Sequence, residues 1–185
     1  MKIVNVIIGV VGILVALAVW WGNRATDEAN ELIKGGNAQF TLGKTLQNQG
    51  LEKLQAAEAA SFPDQAEAIR KLANEGVELY TKSGTSFREA AAKFQAASET
   101  VHDSVVKEYF SMEQKSAAKL AELQDLFRKY LLIYADPAIQ DAETLKKKTG
   151  ELDEQATTLS NEFTALTEAT KKYSEEHKDK LVDLK

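Results

Sequence analysis

Gly22, Ala29, Gly36, Gly43, Gly50 and Ala57 stand seven residues apart, and every member of this row is glycine or alanine. Beside it run Leu32, Ile33, Phe40, Leu46 and Leu54, also at helical spacing. A loop has no reason to keep a seven-residue register of small side chains. A helix does when another helix must approach closely along one stripe. An interior glycine costs a helix about 1 kcal/mol relative to alanine. Close backbone approach and the dispersion contacts it permits must offset that cost. The row therefore predicts a long helix over about 24–60 with a small-residue face buried against a neighbour. Gly35 lies outside the row, which makes Gly35-Gly36 the point at which such a helix would break.

The C-terminal third carries a second register of seven. Leu145, Leu152, Leu159 and Leu166 recur at this interval, and Tyr173 continues them. Between them Ala142, Thr149, Ala156, Phe163, Thr170 and His177 keep the same step. The two rows together make a 3-4 apolar seam of the coiled-coil type over a helix at about 140–184. Parallel dimeric zippers favour Ile or Val where this chain has small or polar residues. The seam is expected to pack within the chain, antiparallel, with a homo-oligomer left open.

Punctuation divides what lies between. Pro63 in "SFPDQ" and Pro137 in "ADPAIQ" interrupt helical runs. In "KSGTSFRE" Gly84 suits a helix C′ position, and Ser86 with Glu89 forms a capping box. These marks predict helices at about 64–83 and 86–134. Alternatively Thr100 and Asp103 start a new helix, which would give four helices of similar length. "YLLIYA", Tyr130–Ala135, is apolar on every side and is expected at the best-buried end. No strand-like alternation occurs. The fold expected is all-α: an N-terminal transmembrane helix (residues 1–22), then an elongated antiparallel bundle of three to four long helices over 23–185 with coiled-coil-like packing.

The transmembrane expectation rests on Ile3–Trp21, 19 residues without a charge. As a helix they span about 28 Å, close to the hydrocarbon thickness of a bilayer. Trp20 and Trp21 end the run as an interfacial aromatic belt does. A cleaved signal peptide would have a shorter apolar core, and the A-x-A here, Ala16–Ala18, sits inside the run. The absence of cysteine excludes a lipoprotein anchor. Lys2 and the α-amino group lie before the span, and Arg24 follows it with Asp27, Glu28 and Glu31 close behind; by the small margin that a count of positive charges leaves, the N-terminus is expected inside and the C-terminal domain outside, periplasmic, at the cytoplasmic (inner) membrane. The small-residue row starts at Gly22, so the anchor is expected to continue as the first helix of the bundle.

Chemistry is sparse. Without cysteine there are no disulfides, thiolate metal sites or thiol nucleophiles. Lys2 is the one charged residue of 1–22, which leaves the remainder at −6 against −5 for the whole. An acidic domain without a basic stripe argues against nucleic acid. Glu99 and His102 form one Glu-x-x-His unit of the kind di-metal bundles use in pairs, but Ser174 stands where His177 would need a glutamate. No Walker loop, zinc-protease motif or nucleophile elbow is present. The sequence therefore assigns no catalytic residue, cofactor or metal ligand.

Gly84–Glu99, "GTSFREAAAKFQAASE", resembles the second half of a tetratricopeptide repeat through Phe87, Ala90, Phe94 and Ala97. The resemblance covers one partial repeat, and Gly84 comes one residue early. It implies peptide binding in a groove. The functional expectation is otherwise a membrane-anchored, non-enzymatic scaffold, spacer or accessory subunit. Its partners would be other membrane or extracytoplasmic proteins, with the bilayer held through residues 3–21. The alternative in another class is a helical bundle that senses a small ligand and signals through a membrane partner.

Overall fold

A computed structural model describes residues 27–181. Among them stand four long helices, α1 (Asp27–Ala59), α2 (Ala66–Thr100), α3 (Ser104–Ala135) and α4 (Ala142–Glu176), and a last turn, α5 (Lys178–Leu181). No described residue is in a strand. The long helices have 32 to 35 residues each, so each is about 50 Å long. They run up and down in sequence order. α1 packs on α2, α2 on α3 and α3 on α4, while α1 meets α3 only slightly. No Cα of α1 comes within 8 Å of one in α4. The bundle is thus open on its fourth side.

The glycines do not break α1. Gly35 and Gly36 lie within it, and no described glycine has a positive φ. Asp27 and Glu28 in the first turn complement the helix dipole. In the connection to α2, the Ser61 N–H donates to Gln65 Oε1 (3.0 Å) and the Gln65 N–H returns to Ser61 O (2.8 Å).

The expected division at 64–83 and 86–134 is wrong. α2 continues through Gly84 to Thr100, and the break falls at Val101–Asp103. Gly84 is buried in mid-helix. A Cβ there would lie 3.4 Å from Gln124 Cβ of α3, so the glycine serves close packing and not chain reversal. Ser86 is buried too, and is no cap. The working cap is Asp103, whose carboxylate accepts from the N–H groups of Val105 (2.8 Å) and Val106 (3.3 Å). Asp141 caps α4 in the same way, accepting from the Thr144 N–H at 2.7 Å.

Two apolar clusters fill the interior. The one at the end near Asp27 holds Ala29, Ile33, Phe94, Val105, Phe110 and Leu181. The far one holds Leu54, Tyr80, Phe87, Leu123, Phe127 and Phe163, and Phe40 packs against both. "YLLIYA" is less buried than its composition implies. Tyr130 and Leu131 are interior, but Leu132 is 44% exposed, because α3, although packed between α2 and α4, keeps one face in solvent.

The tetratricopeptide architecture is absent among the described residues. That repeat fits two short helices into 34 residues, whereas Gly84–Glu99 lies inside one helix of 35. No helix among the described residues is long and apolar enough to cross a membrane. Ile3–Trp21, with Trp20, Trp21 and Gly22, lies outside the described residues.

Candidate functional site

The candidate site is the set of seams between helices, and the first is built on the glycine row. Ala29, Gly36, Gly43, Gly50 and Ala57 of α1 are all buried. Each glycine lies under an aromatic ring of α2. A Cβ on Gly36 would stand 2.7 Å from Phe94, one on Gly43 2.9 Å from Phe87, and one on Gly50 3.1 Å from Tyr80. Those three rings are themselves seven apart, running in the opposite direction. The two helices therefore interlock in one antiparallel register, an empty position on α1 against a ring on α2. Ser83, also interior, donates its hydroxyl to Gly43 O at 2.8 Å. Helix approach is close enough there for a side chain to reach the opposing backbone.

A third row went unnoticed in the sequence. Gly76, Ser83, Ala90 and Ala97 of α2 are seven apart and all buried. A Cβ on Gly76 would fall 2.5 Å from Leu131 of α3 and 3.4 Å from Lys53 of α1, so three helices converge there. The same count by sevens that found the α1 row would have found this one.

On α4 the two rows of the expected seam are unequally buried. Thr149, Ala156, Phe163 and Thr170 are buried, with Ser160 and Thr167 beside them. Of the leucines, Leu145 is buried at 9% exposure, while Leu152, Leu159 and Leu166 are half-buried. This interior row, with Phe163 among its small residues, faces the core, and the leucines cover its flank. The threonine hydroxyls turn back on their own helix, Thr149 to Leu145 O and Thr167 to Phe163 O, each at 3.0 Å, which makes their burial tolerable.

Each closed seam has an ion pair at its rim: Lys53–Glu75 (2.7 Å) for α1–α2, Arg88–Asp125 for α2–α3 and Lys119–Glu162 (3.0 Å) for α3–α4. Such exposed pairs contribute about 0–1 kcal/mol each, so they favour a register more than they stabilise it.

The ionisable groups inside are few. At the far end the Tyr130 hydroxyl donates to Glu58 Oε1 (3.1 Å), which ties α3 to α1. Burial raises the Glu58 pKa, and the charge of Asp153 on α4 adds to it. Burial also raises Tyr80, whose hydroxyl is interior, and Tyr134, whose ring lies 5.4 Å from that of Tyr130. Elsewhere on α3 burial raises the Glu113 carboxyl despite a hydrogen bond from Tyr109. Glu99 and His102 do not share a helix face, since α2 has ended at Thr100; Glu99 accepts from Gln95 (3.0 Å). His177 ends α4 with its ring 4.4 Å from Tyr173. Among the described residues no three His, Asp or Glu side chains converge as metal ligands would. A shallow, open depression over Gly35, edged by Glu28, Lys34 and Lys93, lies on the outside of α1 and α2.

No known protein family, characterised protein or solved structure matches the chain. The functional reading therefore stands on geometry and sequence.

Proposed function

We propose that the chain is a single-pass, membrane-anchored helical module. Residues 3–21 sit in the bilayer with Trp20 and Trp21 at its interface, and the preceding residues lie in the cytoplasm. Residues 23–185 stand outside, in the periplasm. The bundle acts as a scaffold, spacer or accessory subunit of a membrane complex and works through protein–protein contact. The observation that carries this reading is the uncharged run of 19 residues that precedes, in the sequence, a bundle of helices about 50 Å long. A rigid rod suits holding a partner at a fixed height above a membrane.

Membranes from cells that express the full chain test it. Retention in the pellet after an alkaline wash is expected, with Gly150→Cys labelled from outside by an impermeant maleimide. Recovery in the soluble fraction overturns the anchor, and labelling only after lysis overturns the orientation. Cross-linking in the same membranes is expected to trap a defined partner. Catalytic turnover by the purified chain, or no cross-linked species above background, overturns the scaffold role.

A further inference from the structure

We propose that Glu58, Asp153 and Tyr80, with the rings of Tyr130 and Tyr134 beside them, form a binding site for the ammonium head of a small primary amine. Every long helix supplies part of it: α1 Glu58, α2 Tyr80, α3 the other two tyrosines and α4 Asp153. The site uses none of residues 1–26, so it stands or falls apart from the membrane reading.

Helix direction brings these side chains together. Side chains lean toward the N-terminal end of their own helix. Tyr80 and Asp153 therefore lean toward the end of the bundle that carries Pro63 and Pro137, while Glu58 and Tyr130 lean back to meet them. The meeting level is that of Gly76, where a Cβ would fall 2.5 Å from Leu131 of α3 and 3.4 Å from Lys53 of α1. The Tyr130 hydroxyl donates to Glu58 Oε1 at 3.1 Å, and the Tyr130 and Tyr134 rings lie 5.4 Å apart. The pairs Lys119–Glu162 and Lys148–Asp136 fix the register of α4 on α3 and set Asp153 level with Tyr130. Asp153 stands one turn from both Thr149 and Ala156, which are buried, so it lies on the inward side of α4.

Two observations call for a hydrogen-bonding cation. The first is charge. Glu58 is held up by burial and by the like charge of Asp153. The nearest lysines along α1 and α4, Lys53 and Lys148, are engaged elsewhere, with Glu75 and Asp136. The second is Tyr80. It is 1% exposed, and its hydroxyl has no hydrogen-bond partner among the described residues. Burial and the Glu58 charge both raise it, so the hydroxyl lies within the field of that carboxylate. A primary ammonium has three N–H donors. The cluster offers three acceptors: Glu58 Oε2, the Asp153 carboxylate and the Tyr80 hydroxyl oxygen. Aromatic faces add attraction for a cation. Two carboxylates and neutral phenols are too few oxygens for calcium, and among the described residues no third His, Asp or Glu joins them to hold a metal. The two acids stand on α1 and α4, the pair of long helices without close backbone approach, which leaves a way out for the alkyl tail.

Thermal unfolding of the purified full chain, titrated at constant chloride with n-butylammonium in place of sodium, tests the site. The melting temperature should rise along a saturable curve. Tetramethylammonium, a cation without N–H groups, should bind at least about tenfold more weakly. Glu58→Gln and Asp153→Asn should each weaken butylammonium about tenfold or more, since each removes a charged acceptor. Tyr80→Phe, which removes a neutral one, should weaken it about twofold to tenfold. All three variants should fold, because two relieve a like-charge contact and the third deletes only an unpartnered hydroxyl; helical circular dichroism checks this. No saturable rise, equal binding of tetramethylammonium, or parental affinity in folded Glu58→Gln and Asp153→Asn overturns the site. None of these results bears on the anchor.

Discussion

Two helices of this chain carry a strict seven-residue register, and they use it in opposite ways. On α1 the register marks the residues that go inside: Ala29, Gly36, Gly43, Gly50 and Ala57 are all buried. On α4 the conspicuous register, that of the leucines, marks the flank. The quieter row of Thr149, Ala156, Phe163 and Thr170 takes the interior. Size explains the α1 face, where the absence of bulk lets two backbones approach. On α4 the interior row mixes small residues with Phe163. α1 meets a row of rings and needs glycine. α4 meets mixed residues, and threonine or alanine suffices.

The largest effect should come from filling the α1 register. Gly43→Leu places a side chain where Phe87, itself wholly buried, already lies 2.9 Å from a bare Cβ position. Overpacking of this kind costs about 3 kcal/mol or more where neither helix can retreat. Urea unfolding of the full chain, followed by helical circular dichroism, reads the loss. An unchanged midpoint would mean that α1 and α2 are not interlocked at Phe87.

The unequal burial of the two α4 rows is tested by a pair of substitutions of intermediate effect. Ala156→Leu overfills the interior row and should cost about 1–3 kcal/mol. Leu159→Ala trims a half-buried flank and should cost about 1 kcal/mol, well below the usual 2–5 for a core leucine. If the alanine variant proves the worse of the two, the leucines form the seam after all.

The two registers also show what can be read from residues alone. Helix content, the run of α1 through its glycines and the antiparallel packing were legible, because period and residue size are properties of the sequence. The break at Val101–Asp103 was visible only as an alternative to one at Gly84. Both sites carry proper helix-end chemistry, and tertiary packing chose between them: Tyr80 before Gly84 and Phe87 after it must lie on one continuous helix to cover Gly50 and Gly43. The open side was not legible, since it depends on where α4 sits relative to α1. No local signal encodes that position. Nor was the Tyr130–Glu58 tie, which joins residues 72 apart.

A smaller effect, of opposite sign, is expected at Gly150. This glycine lies inside α4 but outside both of its rows, and a Cβ there would meet nothing within 4 Å. Gly150→Ala should stabilise the chain by about 0.5–1 kcal/mol through helix propensity. It is the counterpart of Gly43, a helical glycine that serves no packing. A loss of stability, read by thermal unfolding, would mean that something covers this face of α4.

The smallest effect separates the seams by pH. The central rows of the α1–α2 seam contain no acid, so its stability should be indifferent to pH in the mildly acidic range. α3 contributes Glu113, and burial holds its pKa above the ordinary 4.5. A carboxyl with a raised folded pKa binds more protons in the native state than in the unfolded chain between those two values. Its contribution to stability therefore falls as pH rises from 4.5 through the folded pKa, and acidification from neutral pH restores it. Glu58 adds in the same direction. Glu113→Gln keeps an acceptor for the Tyr109 hydroxyl and removes the charge. It should raise the melting temperature at neutral pH and flatten the gain on acidification toward pH 4.5. The Gly43→Leu change should lower stability by the same amount across that range. A Glu113→Gln variant that keeps the parent's full pH slope would show that its carboxyl reaches solvent, and would place the pH dependence on Glu58 alone.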